Sequence, residues 1–230
     1  MVLCGIQKLS LLDYPQKLCA TVFTGGCNFR CPFCQNPDLV LPERAPQALD
    51  TEELIGFMEK RRGKLDGLCI TGGEPLLQSG IGDFIRKVRA MGFLIKLDTN
   101  GSFPNRLQSL VTEGLLDYIA MDIKNSPEKY PLTAGVANLP VENILRSASF
   151  IMSSGVEYEF RTTVVREFHT EDDFLEISRW LRGAKRYYLQ SFVDTGDLIG
   201  SGLHGYSPSE LHTFCDLLAP FFTETGVRGV

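Results

Sequence analysis

No stretch of this sequence stays apolar for the roughly 20 residues a membrane-spanning helix requires. The opening stretch, MVLCGIQKLSLLDYPQK, carries polar side chains throughout. It lacks the apolar core of a secretory signal, so the expected location is the cytoplasm. Neither sign of charge dominates. Lys+Arg 23 against Asp+Glu 28 leaves a net charge of −5, which argues against a broad nucleic-acid-binding surface. Internal repeats, low-complexity tracts and linker-like segments are also lacking, so a single domain over residues 1–230 is expected. With 43% hydrophobic and 22% charged residues, disorder and fibrous architectures are excluded. The three histidines, His169, His204 and His212, have no ligand spacing and read as surface residues.

What the chain does have is cysteine. There are seven, at positions 4, 19, 27, 31, 34, 69 and 215. An odd count in a chain without an export signal points away from a disulfide framework and toward metal binding or catalysis. Cys4, Cys19, Cys69 and Cys215 have apolar neighbours and read as buried thiols. The other three fall within eight consecutive residues.

Short apolar runs recur at 18–24, 67–71, 93–98, 117–122, 156–165 and 186–192, as expected of strands covered on both faces. Helical patterns alternate with them. Asp50 with Glu53, Thr170 with Asp173, and Ser207-Pro208-Ser209-Glu210 are helix starts. Pro140 suits a first helical position, with Gly155 past the end of that helix. Further helices fit 81–91 and 104–113. The run from Glu59 to Lys64 closes a helix, where cations favour the dipole end; as a docking patch it would suit an acidic electron carrier. Six strand-then-helix units imply an α/β fold with a parallel sheet and right-handed crossovers. Six units in this length suggest a partial parallel (β/α)6 barrel, with a flat doubly wound sheet as the alternative. Either architecture gathers chemistry at the carboxyl ends of the strands.

The unusual residues fall at those ends. After the first run comes Gly25-Gly26-Cys27-Asn28-Phe29-Arg30-Cys31-Pro32-Phe33-Cys34. Three thiolates on one loop suit three irons of a four-iron cluster, leaving the fourth iron open. A zinc site would need a fourth ligand such as Cys4, Cys19 or His169. The second run ends in Gly72-Gly73-Glu74-Pro75, where two glycines let backbone approach a ligand closely. The third ends in Asp98-Thr99-Asn100-Gly101, a tight-turn signal. The fourth ends in Asp122-Ile123-Lys124, whose two charged side chains share one face.

The C-x3-C-x2-C spacing, with Phe33 just before the third cysteine, resembles the signature of the radical S-adenosylmethionine (SAM) superfamily, and the resemblance covers nearly the whole chain. It implies a partial barrel, one [4Fe–4S] cluster on Cys27, Cys31 and Cys34, and SAM on the open iron. It further implies SAM contacts from Phe33, Gln35, Gly72, Gly73, Glu74, Thr99, Asn100, Asp122 and Lys124, with Glu74 and neighbouring backbone receiving the SAM ammonium. Arg161 and Gln190 are further candidates to line the barrel. The stretches from Gly5 to Pro15 and from Val22 to Pro37 are similar to activating proteins of anaerobic ribonucleoside-triphosphate reductase. That resemblance implies a 5′-deoxyadenosyl radical that installs a glycyl radical on a partner enzyme. A reduced flavodoxin or ferredoxin would be the electron donor. Asp13, Tyr14 and Pro15 are then candidates to meet the partner's glycine loop; the alternative is a plain turn entering the strand. Two positions depart from the pattern: Gln16 stands where Gly is usual, and Gln35 where His is usual. The missing auxiliary cysteines and the short chain suit a protein substrate. An activase of another glycyl-radical enzyme, such as a pyruvate formate-lyase, or a small-molecule radical SAM enzyme are the alternatives.

Overall fold

A computed structural model describes all 230 residues. Its contacts divide the chain into two compact units. One comprises Met1–Asn28, Asp38–Thr99 and Phe103–Ala120; the other comprises Phe29–Pro37, Asn100–Ser102 and Met121–Val230.

The first unit opens with β1 (Leu3–Ser10), which runs antiparallel to β2 (Cys19–Thr24). A short helix, α1 (Pro37–Val40), precedes α2 (Thr51–Lys60) and β3 (Gly67–Gly72). Then come α3 (Ile81–Ala90), β4 (Leu94–Thr99) and α4 (Pro104–Thr112). β2, β3 and β4 are parallel, with Thr21 opposite Cys69 and Cys69 opposite Lys96. β5 (Tyr118–Asp122) begins in this unit, where the Asp117 N–H donates to the Ile95 carbonyl at 2.9 Å. Leu68, Cys69 and Ile70 in β3 are fully buried. Burial of such a Leu or Ile contributes ~1.5–3 kcal/mol.

β5 ends in the second unit, where the Ile123 N–H donates to the Arg161 carbonyl at 2.7 Å. The chain continues through α5 (Tyr130–Ala134), α6 (Val141–Ser153), β6 (Glu157–Val164), α7 (Glu171–Trp180), β7 (Arg186–Ser191), α8 (Pro208–Leu218) and β8 (Glu224–Arg228). β6, β7 and β8 are parallel, with Arg161 opposite Tyr188 and Gln190 opposite Arg228. Strand order is chain order from β1 to β8. The fold is therefore α/β with a parallel-strand sheet, as the alternating pattern predicts. No helix is long and apolar enough to cross a membrane.

The predicted helix starts hold locally. Thr170 and Asp173 form a capping box, as do Ser207 and Glu210 behind Pro208. Asp50 caps α2 through the Glu52 N–H at 2.9 Å, with no box to Glu53. Pro140 is the N-cap of α6 instead of its first helical residue. Two strands were not expected. β1 mixes Gln7 and Lys8 into its apolar residues because its middle is exposed, and β8 is short, polar and contains Gly226. Such strands carry little period-2 contrast.

Three expectations about single residues are corrected. His169 is fully buried, because both ring nitrogens find backbone partners. Cys4 and Cys215 are only half-buried, whereas Cys19 and Cys69 are in the interior. Tyr14 lies in a core cluster with Cys19, Cys69 and Tyr118, its ring 5.8 Å from that of Tyr118, and so is not available to an incoming loop.

Tyr14 also starts a tight turn, since the Lys17 N–H donates to its carbonyl at 3.1 Å. Pro15 takes the second position and Gln16 the third, at φ +59°, the one residue other than glycine with positive φ. A turn with Pro second and positive φ third selects Gly there. A side chain in the left-handed region costs roughly 1–2 kcal/mol, partly offset by glycine's greater unfolded-state entropy. Gln16→Gly should therefore raise stability by ~0.5–1 kcal/mol, a shift of about 1–4 °C in Tm. Thermal unfolding by circular dichroism measures it, and an unchanged or lower Tm would show that the turn carries no strain.

Candidate active site

The cysteine loop, residues 25–36, has no helix or ladder of its own. Its backbone groups are therefore satisfied by whatever surrounds it. In the first unit the Gly26 N–H donates to the Leu39 carbonyl at 2.7 Å, and the Gly26 carbonyl accepts from the Glu74 N–H at 2.8 Å. The Gly73 N–H donates to the Thr24 carbonyl at 2.9 Å. A Cβ on Gly73 would overlap the Gly26 carbonyl oxygen, and one on Gly72, whose φ is +117°, would overlap the Thr24 backbone. The paired glycines thus allow backbone to meet backbone, fixing the β3 end against the strand that leads to Cys27.

Glu74 is fully buried. Its Oε1 accepts from the Leu76 N–H at 2.9 Å and from the Thr99 hydroxyl at 2.8 Å. The carboxylate caps the short turn after β3 and ties it to the end of β4. Gln78 works on the same loop from outside: its Nε2 donates to the Gly25 carbonyl at 2.7 Å.

The second unit holds the rest of the loop. The Arg30 N–H donates to the Ala134 carbonyl at 2.9 Å, and Gly135 must be glycine because a Cβ would overlap the Arg30 carbonyl. The Gly200 N–H donates to the Pro32 carbonyl at 2.7 Å, and the Cys34 N–H to the Cys31 carbonyl at 3.0 Å. Phe33 is buried, with its ring 5.8 Å from that of Phe168. Gln35 donates from Nε2 to the Val193 carbonyl at 2.8 Å. Asn100 holds its own turn, its Oδ1 accepting from the Ser102 N–H at 2.9 Å and hydroxyl at 2.6 Å.

Asp122 and Lys124, placed on one face by the strand period, are 3.2 Å apart. Arg161 on β6 adds a second cation, its Nε donating to Asp122 Oδ1 at 2.9 Å. Burial alone would raise the Asp122 carboxyl; the Arg161 and Lys124 charges outweigh it and hold the group at about 2. Burial alone would lower the Lys124 ammonium, and Asp122 outweighs it in turn, keeping it charged. The trio carries a net positive charge. Tyr130 supports it from beneath, its hydroxyl donating to the Asp122 carbonyl at 3.1 Å.

Arg161 was expected only to line the barrel, since its run also carries Glu157 and Glu159. Tyr130, Phe168 and His169 carried no signal, since their roles are set by contacts between distant segments.

Three free thiols on one irregular loop are a donor set of the kind a four-iron cluster takes, one thiolate to each ligated iron.

The family model of the Radical SAM superfamily matches residues 21–181. A Methanocaldococcus jannaschii protein, provisionally named a glycyl-radical enzyme activating enzyme, is 32% identical over 192 residues, 82% of this chain and 78% of its own length. The pyruvate formate-lyase-activating enzyme of Listeria monocytogenes is 32% identical over 150 residues, 60% of this chain and 59% of its own. Among solved structures, Streptococcus suis SuiB bound to precursor peptide SuiA superposes with a TM-score of 0.71 at 12% identity, over 91% of this chain and 48% of SuiB. This chain thus spans about half to three-fifths of those two longer proteins. The family match runs from within β2 to the end of α7 and takes in the cysteine loop and each of the strand ends described above. The chain belongs to the Radical SAM superfamily.

Proposed function

We propose that this protein is a radical SAM activase that installs a glycyl radical on a partner enzyme, anaerobic ribonucleoside-triphosphate reductase. Membership of the superfamily implies a [4Fe–4S] cluster and SAM. The observation that carries the activase reading is the similarity across 82% of the chain to a relative provisionally named for that activity. The resemblance of the Gly5–Pro15 and Val22–Pro37 segments to activating proteins of that reductase supports it as the partner.

In this reading Cys27, Cys31 and Cys34 would hold the cluster, and Phe33, packed against Phe168, braces the segment between the second and third thiols. Asp122, Lys124 and Arg161 form a charged set suited to the polar groups of SAM. Glu74 orients Thr99, and its own N–H is held by Gly26, so the β3 and β4 ends are presented together. Phe33, Gln35, Gly72, Gly73, Asn100 and these strand-end residues make up the SAM contacts. Bound there, the cluster and SAM would supply the radical chemistry, a 5′-deoxyadenosyl radical able to take a hydrogen atom from a glycine Cα of the partner, with a reduced flavodoxin or ferredoxin as the electron donor. The protein's own work is orientation and exclusion of water.

Three outcomes are expected. Protein reconstituted without oxygen should hold about four irons, and Ala at Cys27, Cys31 or Cys34 should abolish SAM cleavage, while Ala at Cys4, Cys69 or Cys215 should spare the cluster. Iron analysis and absorbance decide this; stoichiometric zinc with no iron uptake would sink it.

Lys124→Ala should weaken SAM binding roughly ten- to a hundredfold, the loss of one charge-assisted contact, without removing the cluster. Glu74→Gln keeps an acceptor for Leu76 and Thr99, so its effect on SAM affinity should be smaller, within about tenfold. Equilibrium titration with SAM tests both, and unchanged affinity for Lys124→Ala would remove that residue from the site.

Mixed with SAM, a reductant and the anaerobic reductase, the enzyme should generate an electron paramagnetic resonance doublet that collapses when the glycine carries deuterium at Cα. Productive SAM consumption with a small metabolite, and no radical on any glycyl-radical enzyme, would replace this reading with a small-molecule one.

A further inference from the structure

The loop after β6, Val165-Arg166-Glu167-Phe168-His169, touches both the cysteine loop and the end of β5 within the second unit. Its Phe168 ring faces Phe33 at 5.8 Å, and its Phe168 carbonyl accepts from Asn125 Nδ2 at 2.9 Å. His169 makes the connection next to that. Its Nε2 lies 2.8 Å from the Lys124 carbonyl, and its Nδ1 accepts from the Val165 N–H at 3.1 Å. Nδ1 also lies 3.1 Å from the Val165 carbonyl, but that oxygen already accepts from the Phe168 and His169 N–H groups, so a hydrogen on Nε2 serves the Lys124 carbonyl and leaves Nδ1 as the acceptor for the Val165 N–H.

The ring has no freedom to do anything else. It is fully buried, lies nearly parallel to the Phe174 ring at 5.8 Å, and its own carbonyl accepts from the Tyr206 hydroxyl at 2.6 Å. Burial pushes the imidazole below its ordinary value, which keeps it neutral. A neutral, two-bond ring joining segments 45 residues apart is not needed to fill space, for which Phe or Leu would serve. Its distinctive property is one donor and one acceptor at fixed separation.

We infer that His169 is a positioning residue for SAM binding: it fixes the Lys124 backbone, and through it the direction of the Lys124 ammonium toward Asp122, from the loop that also buttresses Phe33. The inference rests on the reading of Lys124 as a SAM contact. His169 itself touches no substrate. It acts on the main chain of the residue that does, as outer partners of ligating groups do elsewhere.

Two conservative variants separate this from a merely structural role. His169→Gln can keep the donor to the Lys124 carbonyl, while His169→Asn can keep only the acceptor for the Val165 N–H. In cluster-loaded protein, His169→Asn and His169→Ala should weaken SAM binding roughly tenfold, with iron content unchanged and His169→Gln within about twofold of the parent. Because His169 acts through Lys124, the double variant His169→Ala with Lys124→Ala should be no weaker than Lys124→Ala alone by more than about twofold. Hydrogen exchange of residues 122–126, in cluster-loaded protein without SAM, should be faster in His169→Asn than in His169→Gln.

Equal losses in the Gln and Asn variants, or full additivity in the double variant, would overturn the inference while leaving Lys124 a SAM contact. Unchanged affinity in Lys124→Ala would overturn the underlying reading, and this inference with it. The exchange difference would then remain as a purely structural effect.

Discussion

The cysteine loop must hold its shape without a ladder or a helix, and everything around it is arranged to that end. An irregular segment with unpaired backbone groups would lose their hydrogen bonds on burial, at a cost of about 1–3 kcal/mol for each group. Here each of several such groups is met by a fixed partner: Leu39 and Glu74 at Gly26, Ala134 at Arg30, Gly200 at Pro32. Those meetings require backbones to come closer than any Cβ permits, which is why glycine stands at 73 and 135. Within each unit the loop's backbone is thereby tied to fixed partners, as a segment with no regular structure of its own requires.

Charge inside the strands obeys a related rule. An unpaired buried cation costs several kcal/mol, so interior cations occur with anions beside them. Lys96 is buried against Asp98, with Cys69 Sγ at 3.6 Å. Arg228 makes two bonds to the buried Glu159, at 2.6 and 2.8 Å, and lies over the Tyr188 ring at 3.8 Å. Asp122 differs because two cations share it. Loss of Lys124 leaves Asp122 still paired with Arg161, so that position can be emptied without stranding a charge. The excess of one positive charge makes this the strand end suited to an anionic group, while the Lys96 and Arg228 pairs are internally balanced.

The sequence was legible where structure is local. Capping boxes at 170–173 and 207–210 need only residues three apart, and the buried parallel strands announce themselves as apolar runs. The cysteine spacing was legible because the three thiols sit on one short segment. What escaped was set by distance along the chain. His169 looked like a polar residue in a polar stretch, and only the fold brings the Lys124 carbonyl to its Nε2. Tyr14 looked like part of an exposed turn, and only the packing of Tyr118 against it makes it core. Glu74 was expected to meet a ligand, and its contacts to Leu76 and Thr99 give the carboxylate a structural task the motif does not reveal. The edge strands β1 and β8 failed for the opposite reason: exposed strands can carry any residue, so the pattern has nothing to select.

The two departures from the resembling proteins differ in kind. Gln16 is a matter of backbone: the turn needs positive φ at its third position, a glutamine adopts it at some cost, and the side chain itself is exposed. Its effect should fall on the stability of the turn entering β2. Gln35 is a matter of side chain. It follows Cys34 directly, and its amide donates to the Val193 carbonyl, joining the cysteine loop to the segment after β7. A carboxamide has two donors and an acceptor on one group, whereas a neutral imidazole has one donor and one acceptor on opposite sides of a ring. Gln35 can therefore hold Val193 and still offer another hydrogen to whatever lies beside Cys34. The thiols, the glycine contacts and the Asp122 trio do not depend on either position, so the differences concern how the loop is anchored.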